Sequence, residues 1–293
     1  MKKQNYISNR FLLIFFTVTF IWTWSLGFLP VILKITDTGL GTFLFYFGAG
    51  APSVTALFLV FFTYPKAARK DYFTRCFSFK KMGILWPALT VLFYSVIAFL
   101  AVLISNFLHL EMPGMDYLKL IEAKPYMLFQ ILLISLVSGP INEEFGWRGY
   151  SLDRLLSRFG FAFSSLILGF IWAIWHLAWY FTPGQAQYNM LQTSIPNALM
   201  FLPSCILTGF AVSFVYIKTG RSILAGAFVH MMSNLLTSQL LSPYTAEFGL
   251  IVRYLNIAFC LILVVYTVCS PAFKKETARQ IEEIKEDAKR FQA

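Results

Sequence analysis

Long apolar runs alternate with short polar segments along most of the chain. An α-helix needs about 20 apolar residues to cross the hydrocarbon core of a bilayer, and eight runs are long enough. They lie near 11–33, 40–63, 83–107, 127–148, 161–182, 195–217, 222–242 and 248–270. The pattern predicts an all-α integral membrane protein in which eight transmembrane helices form one domain over residues 1–270.

The last segment, residues 271–293, has a different pattern. Apolar residues recur there at helical spacing among mixed charges: Ile281, Ile284, Ala288 and Phe291. The simpler interpretation is a solvated helix with no separate function. The alternative is an amphipathic helix that lies on the membrane surface. Either way, we predict a charged helical tail.

Composition agrees with a polytopic membrane protein. Of the 293 residues, 58% are hydrophobic and only 13% are charged. A net charge of +10 would suggest nucleic-acid binding in a soluble protein. Here the basic residues lie between the apolar runs, so topology and anionic lipid explain them better than nucleic acid does. The four cysteines form no CxxC pair, which argues against a disulfide framework and a cysteine metal site.

Basic residues fall in every second connection between the predicted spans. Lys2, Lys3 and Arg10 precede the first span, and the second, fourth and sixth connections and the tail are also basic. The intervening connections are nearly free of them, as in 182–194. Because Lys and Arg accumulate in cytoplasmic loops, we expect both termini and the tail to be cytoplasmic. The first run lacks a cleavage site, and an uncleaved span with short loops suits a bacterial plasma membrane.

Ionisable side chains occur within three of the predicted spans. Each costs about 2.5–3.5 kcal/mol near the bilayer centre, so such groups usually face a bundle interior or a wet cavity. Three motifs each combine such a group with a polar or aromatic residue four positions away, which puts both members on one helix face. The pairs are Glu144 with Arg148 in the fourth span, Trp172 with His176 in the fifth, and His230 with Asn234 in the seventh.

Glu143 is an acid outside these pairs. On a helix it points about 100° away from Glu144, so Arg148 can pair with Glu144 but not with Glu143. Gly139 and Pro140 come just before it, and proline removes an amide and disturbs a helix. We therefore expect a loosened backbone that admits water, with Glu143 unpaired and available for chemistry.

The spacing along the chain predicts that these groups share one depth. Glu143 and His176 are 33 residues apart, with their midpoint beside Gly160, and glycine is a common helix stop. If the chain turns there, the two side chains lie at one height on antiparallel helices. His230 follows Arg221 by nine residues, about 14 Å at 1.5 Å per residue. The polar groups should therefore converge in the cytoplasmic half of the bilayer.

One carboxylate, two imidazoles and an amide form a set suited to hydrolysis. A carboxylate and an imidazole that face one water can activate it, and a second imidazole and an amide can donate to a developing oxyanion. No serine or cysteine nucleophile with a base at motif spacing is apparent. Zinc held by Glu143, His176 and His230 is the rival mechanism. The chain has no HExxH motif, so the sequence leaves this choice open.

The motifs resemble those of the CAAX protease and bacteriocin-processing (CPBP) family, relatives of the prenyl-protein endopeptidase that trims CAAX tails. EEFGWR fits EExxxR, WAIWH fits [F/W]xxxH and HMMSN fits HxxxN. They occur in that order on the fourth, fifth and seventh predicted spans, between about Gly139 and Leu236. The resemblance implies an intramembrane endopeptidase with a cavity open to the cytoplasm. Its substrates would be membrane-embedded or lipidated peptides or proteins.

The resemblance also implies roles for the motif residues. Glu143 and His176 would activate the water, and His230 and Asn234 would form the oxyanion site. Three supporting residues would order the first motif or shape the cavity wall: Glu144, Arg148 and Trp172, the last standing where Phe is common. Of the two mechanisms the residues leave open, the metal-free one without a cofactor is favoured.

Two functions of other classes remain as alternatives. A non-catalytic membrane adaptor or bacteriocin-immunity protein could bind a partner peptide in the same cavity. A small-solute transporter fits less well, because the chain shows no repeated half and no paired broken helices.

Overall fold

The computed structural model describes residues 9–291, which are helical apart from short connections and contain no strands. Lys2 and Lys3, two residues behind the predicted orientation, lie outside this range, as do the last two residues of the predicted tail. The helices are α1 Asn9–Ile32, α2 Gly39–Ala49, α3 Ala51–Thr63, α4 Lys66–Phe77, α5 Phe79–Met82, α6 Leu85–Phe107, α7 Asp116–Ala123, α8 Met127–Val137, α9 Pro140–Gly146, α10 Asp153–Trp175, α11 Ala186–Thr193, α12 Ile195–Lys218, α13 Ile223–Asn234, α14 Ala246–Cys269 and α15 Pro271–Arg290. The all-α prediction is confirmed.

Five helical segments are long and apolar enough to cross a membrane, and α2 with α3, bent by 53°, makes a sixth. This confirms a membrane protein with several spans. The segment Met127–Phe181 counts once but has 55 residues, and two of the predicted spans lie within it. The predicted seventh span corresponds to α13 and the π-helix Leu235–Gln239, which follow each other directly and together lie at the lower end of the length range for a span.

The chain turns at Gly160, inside α10. Its backbone has φ 70° and ψ 179°, a conformation that glycine adopts far more readily than other residues. The segments on either side come back together, since the indole of Trp172 reaches Glu143 across 29 residues. The predicted turn at Gly160 is therefore confirmed, and it brings the fourth and fifth predicted spans into contact.

The bundle has two ends that differ in charge. We call one the Gly160 end; it carries the Gly160 turn, α4, the 218–222 link and α15. The other, the loop end, carries the connections 108–126, 182–194 and 240–245. Basic residues are abundant at the Gly160 end and sparse at the loop end. The alternation found in the sequence thus corresponds to two opposite ends of the folded chain.

The tail forms α15, as its helical spacing predicted, and one face of it is buried on the bundle. Phe273, Ile284 and Ala288 are among its buried residues. Arg221 pairs with Asp287 at 2.9 Å, and Gln280 donates to the backbone carbonyl of Ile217 at 2.8 Å. The tail is therefore docked against the Gly160 end, in contrast to the simpler interpretation of a solvated helix.

Candidate active site

The helix that carries the first motif is broken at Gly139, between α8 and α9. Gly139 has φ −151° and ψ −62°, and Pro140 begins α9, where its missing N–H costs no hydrogen bond. The predicted disturbance at Pro140 is thus confirmed. A Cβ placed on Gly139 would lie 3.3 Å from Oε1 of Glu143 and 3.7 Å from Nε2 of His230. The absence of a side chain keeps the space between those groups open.

Short helical turns of unusual pitch follow two of the motifs. A π-helix, Trp147–Leu152, carries Arg148 directly after α9, and another, Leu235–Gln239, begins directly after Asn234. Such turns are rare and occur often at functional sites, because they re-aim side chains within an otherwise regular helix.

Glu144 and Arg148 form the predicted ion pair, fully buried on both sides. Nη1 of Arg148 donates to both carboxylate oxygens at 3.0 and 2.9 Å, and Nη2 donates to the carbonyl of Gly209 at 2.8 Å. Because breaking a buried pair leaves an uncompensated charge, at a cost of about 3–5 kcal/mol, this pair fixes α9 against α12. Glu144 also accepts from Nδ1 of His230 at 2.9 Å, a partner from α13 that a single helix could not reveal.

Glu143 has a partner as well, which corrects the expectation that it would be unpaired. Nε1 of Trp172 donates to its Oε2 at 2.6 Å. A helical wheel compares residues of one helix, whereas Trp172 comes from the antiparallel segment after Gly160. Oε1 of Glu143 keeps its face toward Gly139 and the cavity.

His176 is oriented by a backbone carbonyl. Its Nδ1 lies 2.8 Å from the carbonyl oxygen of Trp172. A carbonyl can only accept, so the proton belongs on Nδ1, and Nε2 is then a hydrogen-bond acceptor in the neutral ring. Phe201 contacts the ring at a centroid distance of 5.3 Å. These contacts fix both the tautomer and the tilt of the imidazole.

A cavity of about 400 Å³ collects the predicted site residues. Glu143, Trp172, His176, His230 and Asn234 all line it. Glu144 and Arg148 lie behind this wall and do not line it, in keeping with a supporting position. The structure therefore brings the four predicted catalytic side chains to one space, although the role of each stays a prediction.

The cavity extends from these residues toward the loop end. Ala186, Met190 and Tyr244 line it there, and no residue of the Gly160 turn or the 218–222 link does. The charge pattern assigns the loop end to the non-cytoplasmic side, whereas the family resemblance implies a cytoplasmic opening. In this fold the two expectations are incompatible.

The lining residues that the sequence analysis did not single out include a thiol and a guanidinium. Cys205 places its Sγ 3.8 Å from Nδ1 of His176, but that nitrogen carries a proton and cannot act as a base toward the thiol. Arg253 lines the cavity from α14. A lone arginine within the eighth apolar run was a visible signal, by the same reasoning that singled out Glu143. The thiol left no such signal, because its neighbour comes from another helix.

Zinc held by Glu143, His176 and His230 was the rival expectation for this cavity. Within residues 9–291, no group of three or more His, Cys, Asp or Glu side chains is arranged to hold a metal ion. Of the three residues named for zinc, His230 bonds Glu144 through Nδ1 and Glu143 bonds Trp172 through Oε2, so Nε2 of His230 and Oε1 of Glu143 stay on the cavity side. The absence of a cofactor stays a prediction.

Comparison with known proteins supports the resemblance that the motifs suggest. The family model described as Type II CAAX prenyl endopeptidase Rce1-like matches residues 124–236, which include all three motifs. The chain is also 26% identical over 228 residues to a CAAX prenyl protease 2 of Methanococcus maripaludis, covering 76% of this chain and 82% of that protein. The resemblance to the CAAX protease family is confirmed.

Proposed function

We propose that the chain is an intramembrane endopeptidase that hydrolyses peptide bonds of membrane-associated or lipidated peptides or proteins. The observation that carries the proposal is the arrangement of Glu143, His176, His230 and Asn234 around one cavity. Each of the three ionisable groups is held by a hydrogen bond to a neighbouring residue. The match to an endopeptidase family supports the same reaction.

In the proposed reaction, Glu143 and His176 activate a water. Nε2 of His176 and Oε1 of Glu143 are the acceptors that remain for it, because the other polar atom of each side chain is already bonded. The water oxygen attacks the peptide carbonyl carbon while one acceptor takes its proton. The same proton then passes to the amine that leaves as the peptide bond breaks.

His230 and Asn234 would bind the oxyanion that forms during attack. Nδ1 of His230 bonds Glu144, so the Nε2 edge of the ring is the one that faces the cavity and the oxyanion. The Asn234 amide has no hydrogen-bond partner in the described part of the chain and lines the cavity. Two donors aimed at a developing charge are the usual means of stabilising it.

The test uses purified protein and a lipidated peptide whose products are followed by mass spectrometry. Glu143→Gln and His176→Ala should each lower kcat/KM by about 10²–10⁴-fold, the usual contribution of general acid–base catalysis. Glu247→Gln, on an exposed acid at the start of α14, is the matched control and should keep full activity. Unchanged cleavage by both site variants would refute the mechanism. A cellular phenotype that survives them would instead favour the adaptor or bacteriocin-immunity alternative.

We propose the metal-free form of the mechanism. The placement of the side chains supports it, because residues 9–291 contain no group of three or more His, Cys, Asp or Glu side chains arranged to hold a metal ion. Metal analysis of an active preparation should find less than stoichiometric zinc, and chelators should leave the rate unchanged. Stoichiometric zinc together with loss of activity on chelation would establish the metalloprotease instead.

We further propose eight crossings of a bacterial plasma membrane, with both termini and α15 in the cytoplasm. The turn at Gly160 supports counting Met127–Phe181 as two crossings. The excess of basic residues at the Gly160 end supports the orientation. This orientation puts the cavity mouth on the non-cytoplasmic side. The proposal therefore rejects the cytoplasmic opening that the family resemblance implies.

Native cysteines offer a test of this orientation. Cys269 is exposed at the Gly160 end, so a membrane-impermeant maleimide should label it in everted vesicles but not in intact cells. Burial raises the pKa of the Cys76 thiol to about 12, so this thiol should stay unlabelled in both. Ala186→Cys, in a Cys269→Ser background, should show the opposite accessibility. The reverse pattern for both sites would restore the cytoplasmic opening.

A further inference from the structure

Arg253 is a charged side chain of the cavity that the proposed reaction does not use. It lies on α14, half-buried and within a candidate span. Besides the histidines, Arg253 and Glu143 are the charged residues among the described cavity lining. A cation at such a position is costly and usually has a functional partner.

Three other buried arginines of the bundle have carboxylate partners. Arg75, Arg148 and Arg221 each lie within 3.2 Å of an Asp or Glu oxygen. Arg253 forms no salt bridge with any residue in 9–291: its polar contacts are the side chain of Asn197 and the thioether of Met190. The cavity therefore contains a guanidinium whose charge is not neutralised by the protein.

The guanidinium is held in place from one side. Its Nε donates to Oδ1 of Asn197 at 2.7 Å, and its Cζ lies 5.2 Å from the centroid of the Phe201 ring. Nη2 faces Sδ of Met190, a weak acceptor, and Nη1 has no hydrogen-bond partner in the described chain. The terminal donors of the fork thus remain for a ligand, while the stem is fixed by Asn197.

Phe201 also links Arg253 to the reacting groups. The same ring contacts His176 at a centroid distance of 5.3 Å and Arg253 at 5.2 Å. The guanidinium and the imidazole are therefore separated by no more than two such contacts. An extended peptide covers about 3.3–3.6 Å per residue, so two to three residues beyond a bond cleaved at His176 would reach Arg253.

We propose that Arg253 binds a carboxylate of the substrate, foremost the free C-terminal carboxylate of a peptide cleaved two to three residues from its end. The planar fork of arginine matches a carboxylate with two parallel hydrogen bonds, which a lysine cannot do. This inference rests on the proposed endopeptidase for the position of the cut. The carboxylate site itself does not depend on cleavage.

Binding is measured first, in a Glu143→Gln background that prevents turnover. The probes are three fluorescent S-farnesyl peptides with three residues after the modified cysteine. One ends in a free carboxylate, one in an amide, and one in an amide with Asp as its last residue. The free acid should bind about 10- to 100-fold more tightly than the plain amide, the range for a charge-assisted hydrogen bond. Equal binding of the acid and both amides would overturn the proposal.

Arg253→Gln should abolish this preference by weakening the acid and leaving the plain amide unchanged. Arg253→Lys keeps the charge without the fork and should retain part of the preference. Arg158→Gln makes the same change on an exposed arginine near Gly160 and should have no effect. A preference for the acid that persists in a folded Arg253→Gln protein would also overturn the proposal.

The remaining outcomes separate the carboxylate site from the protease. If the Asp amide binds like the free acid, Arg253 accepts a side-chain carboxylate as well, which supports the site and widens its substrates. If the protein with its native Glu143 binds the acid selectively but cleaves none of the peptides, the endopeptidase proposal fails and the carboxylate site stands. If the amide and the acid are cleaved and bound alike, the endopeptidase stands and the site fails.

Discussion

Two clusters of buried charged residues connect helices of this bundle. They differ in how many of their polar atoms are bonded to other protein groups. At the Gly160 end, Asp153 accepts from Arg75 and Arg221 through Oδ2, and from the hydroxyl of Tyr216 through Oδ1. Arg221 continues the network to Asp287 of the tail. Every charge in this cluster has a charged partner, so it joins α4, α10, α15 and the link before α13 without leaving a group for a ligand.

The cluster beside the cavity is closed on one side only. Glu144, Arg148 and the Nδ1 side of His230 satisfy one another away from the cavity. In front of them, Glu143 and His176 each keep one polar atom on the cavity wall. Burial of charge is costly in both clusters, so burial alone does not distinguish a structural cluster from a catalytic one. The cluster beside the cavity differs because some of its polar atoms have no protein partner and face a common space.

Substitution at Asp153 should have the largest effect on stability. Asp153→Ala leaves Arg75 and Arg221 buried without their shared acid, and we expect a loss of about 3–5 kcal/mol in the free energy of unfolding. Reversible unfolding in detergent, followed by circular dichroism, measures it. Activity per folded molecule should be unchanged. Asp37→Ala, on an exposed acid, is the control. A stable Asp153→Ala protein with lost activity would place this cluster in the site instead.

A methyl group at Gly139 should have the next largest effect, and on activity instead of stability. In Gly139→Ala the new Cβ lies 3.3 Å from Oε1 of Glu143, close enough to displace that carboxylate or the water it holds. A displacement of this kind can cost about a hundredfold in rate. Gly50→Ala, whose Cβ would meet only ordinary contacts from 3.5 Å, is the matched control. Full activity of Gly139→Ala would argue against a reactive water held at Oε1 of Glu143.

The sequence predicts the parts of this contrast that depend on neighbours along one helix. Glu144 with Arg148, and the turn at Gly160, follow from spacing and from the properties of glycine. The bonds from Trp172 to Glu143 and from His230 to Glu144 join residues 29 and 86 positions apart. No periodicity encodes them, because they depend on how separate helices are rotated against each other.

The sequence could not predict toward which end of the bundle the cavity opens, for the same reason. Depth arithmetic put Glu143, His176 and His230 at one level, and all three do line one space. It could not show on which side of that level the helices diverge. That side is set by connections such as 182–194, whose residue Met190 lines the cavity. The same arithmetic left out Arg253, because it compared only residues within recognised motifs.

The smallest expected effect tests how far the charge cluster at the Gly160 end extends along α15. Lys218 and Glu276 bond at 2.6 Å, but both side chains are partly exposed, at 22% and 27%. Solvent screens such a pair, so Glu276→Gln should cost no more than about 1 kcal/mol of unfolding free energy. The same unfolding measurement applies, repeated at high salt, where the difference from the unsubstituted protein should shrink.

Glu283→Gln, on an acid that is half exposed and 3.7 Å from Arg279, is the control and should cost nothing measurable. A loss for Glu276→Gln as large as that for Asp153→Ala would mean that the charge cluster at the Gly160 end extends along α15 to its first turns.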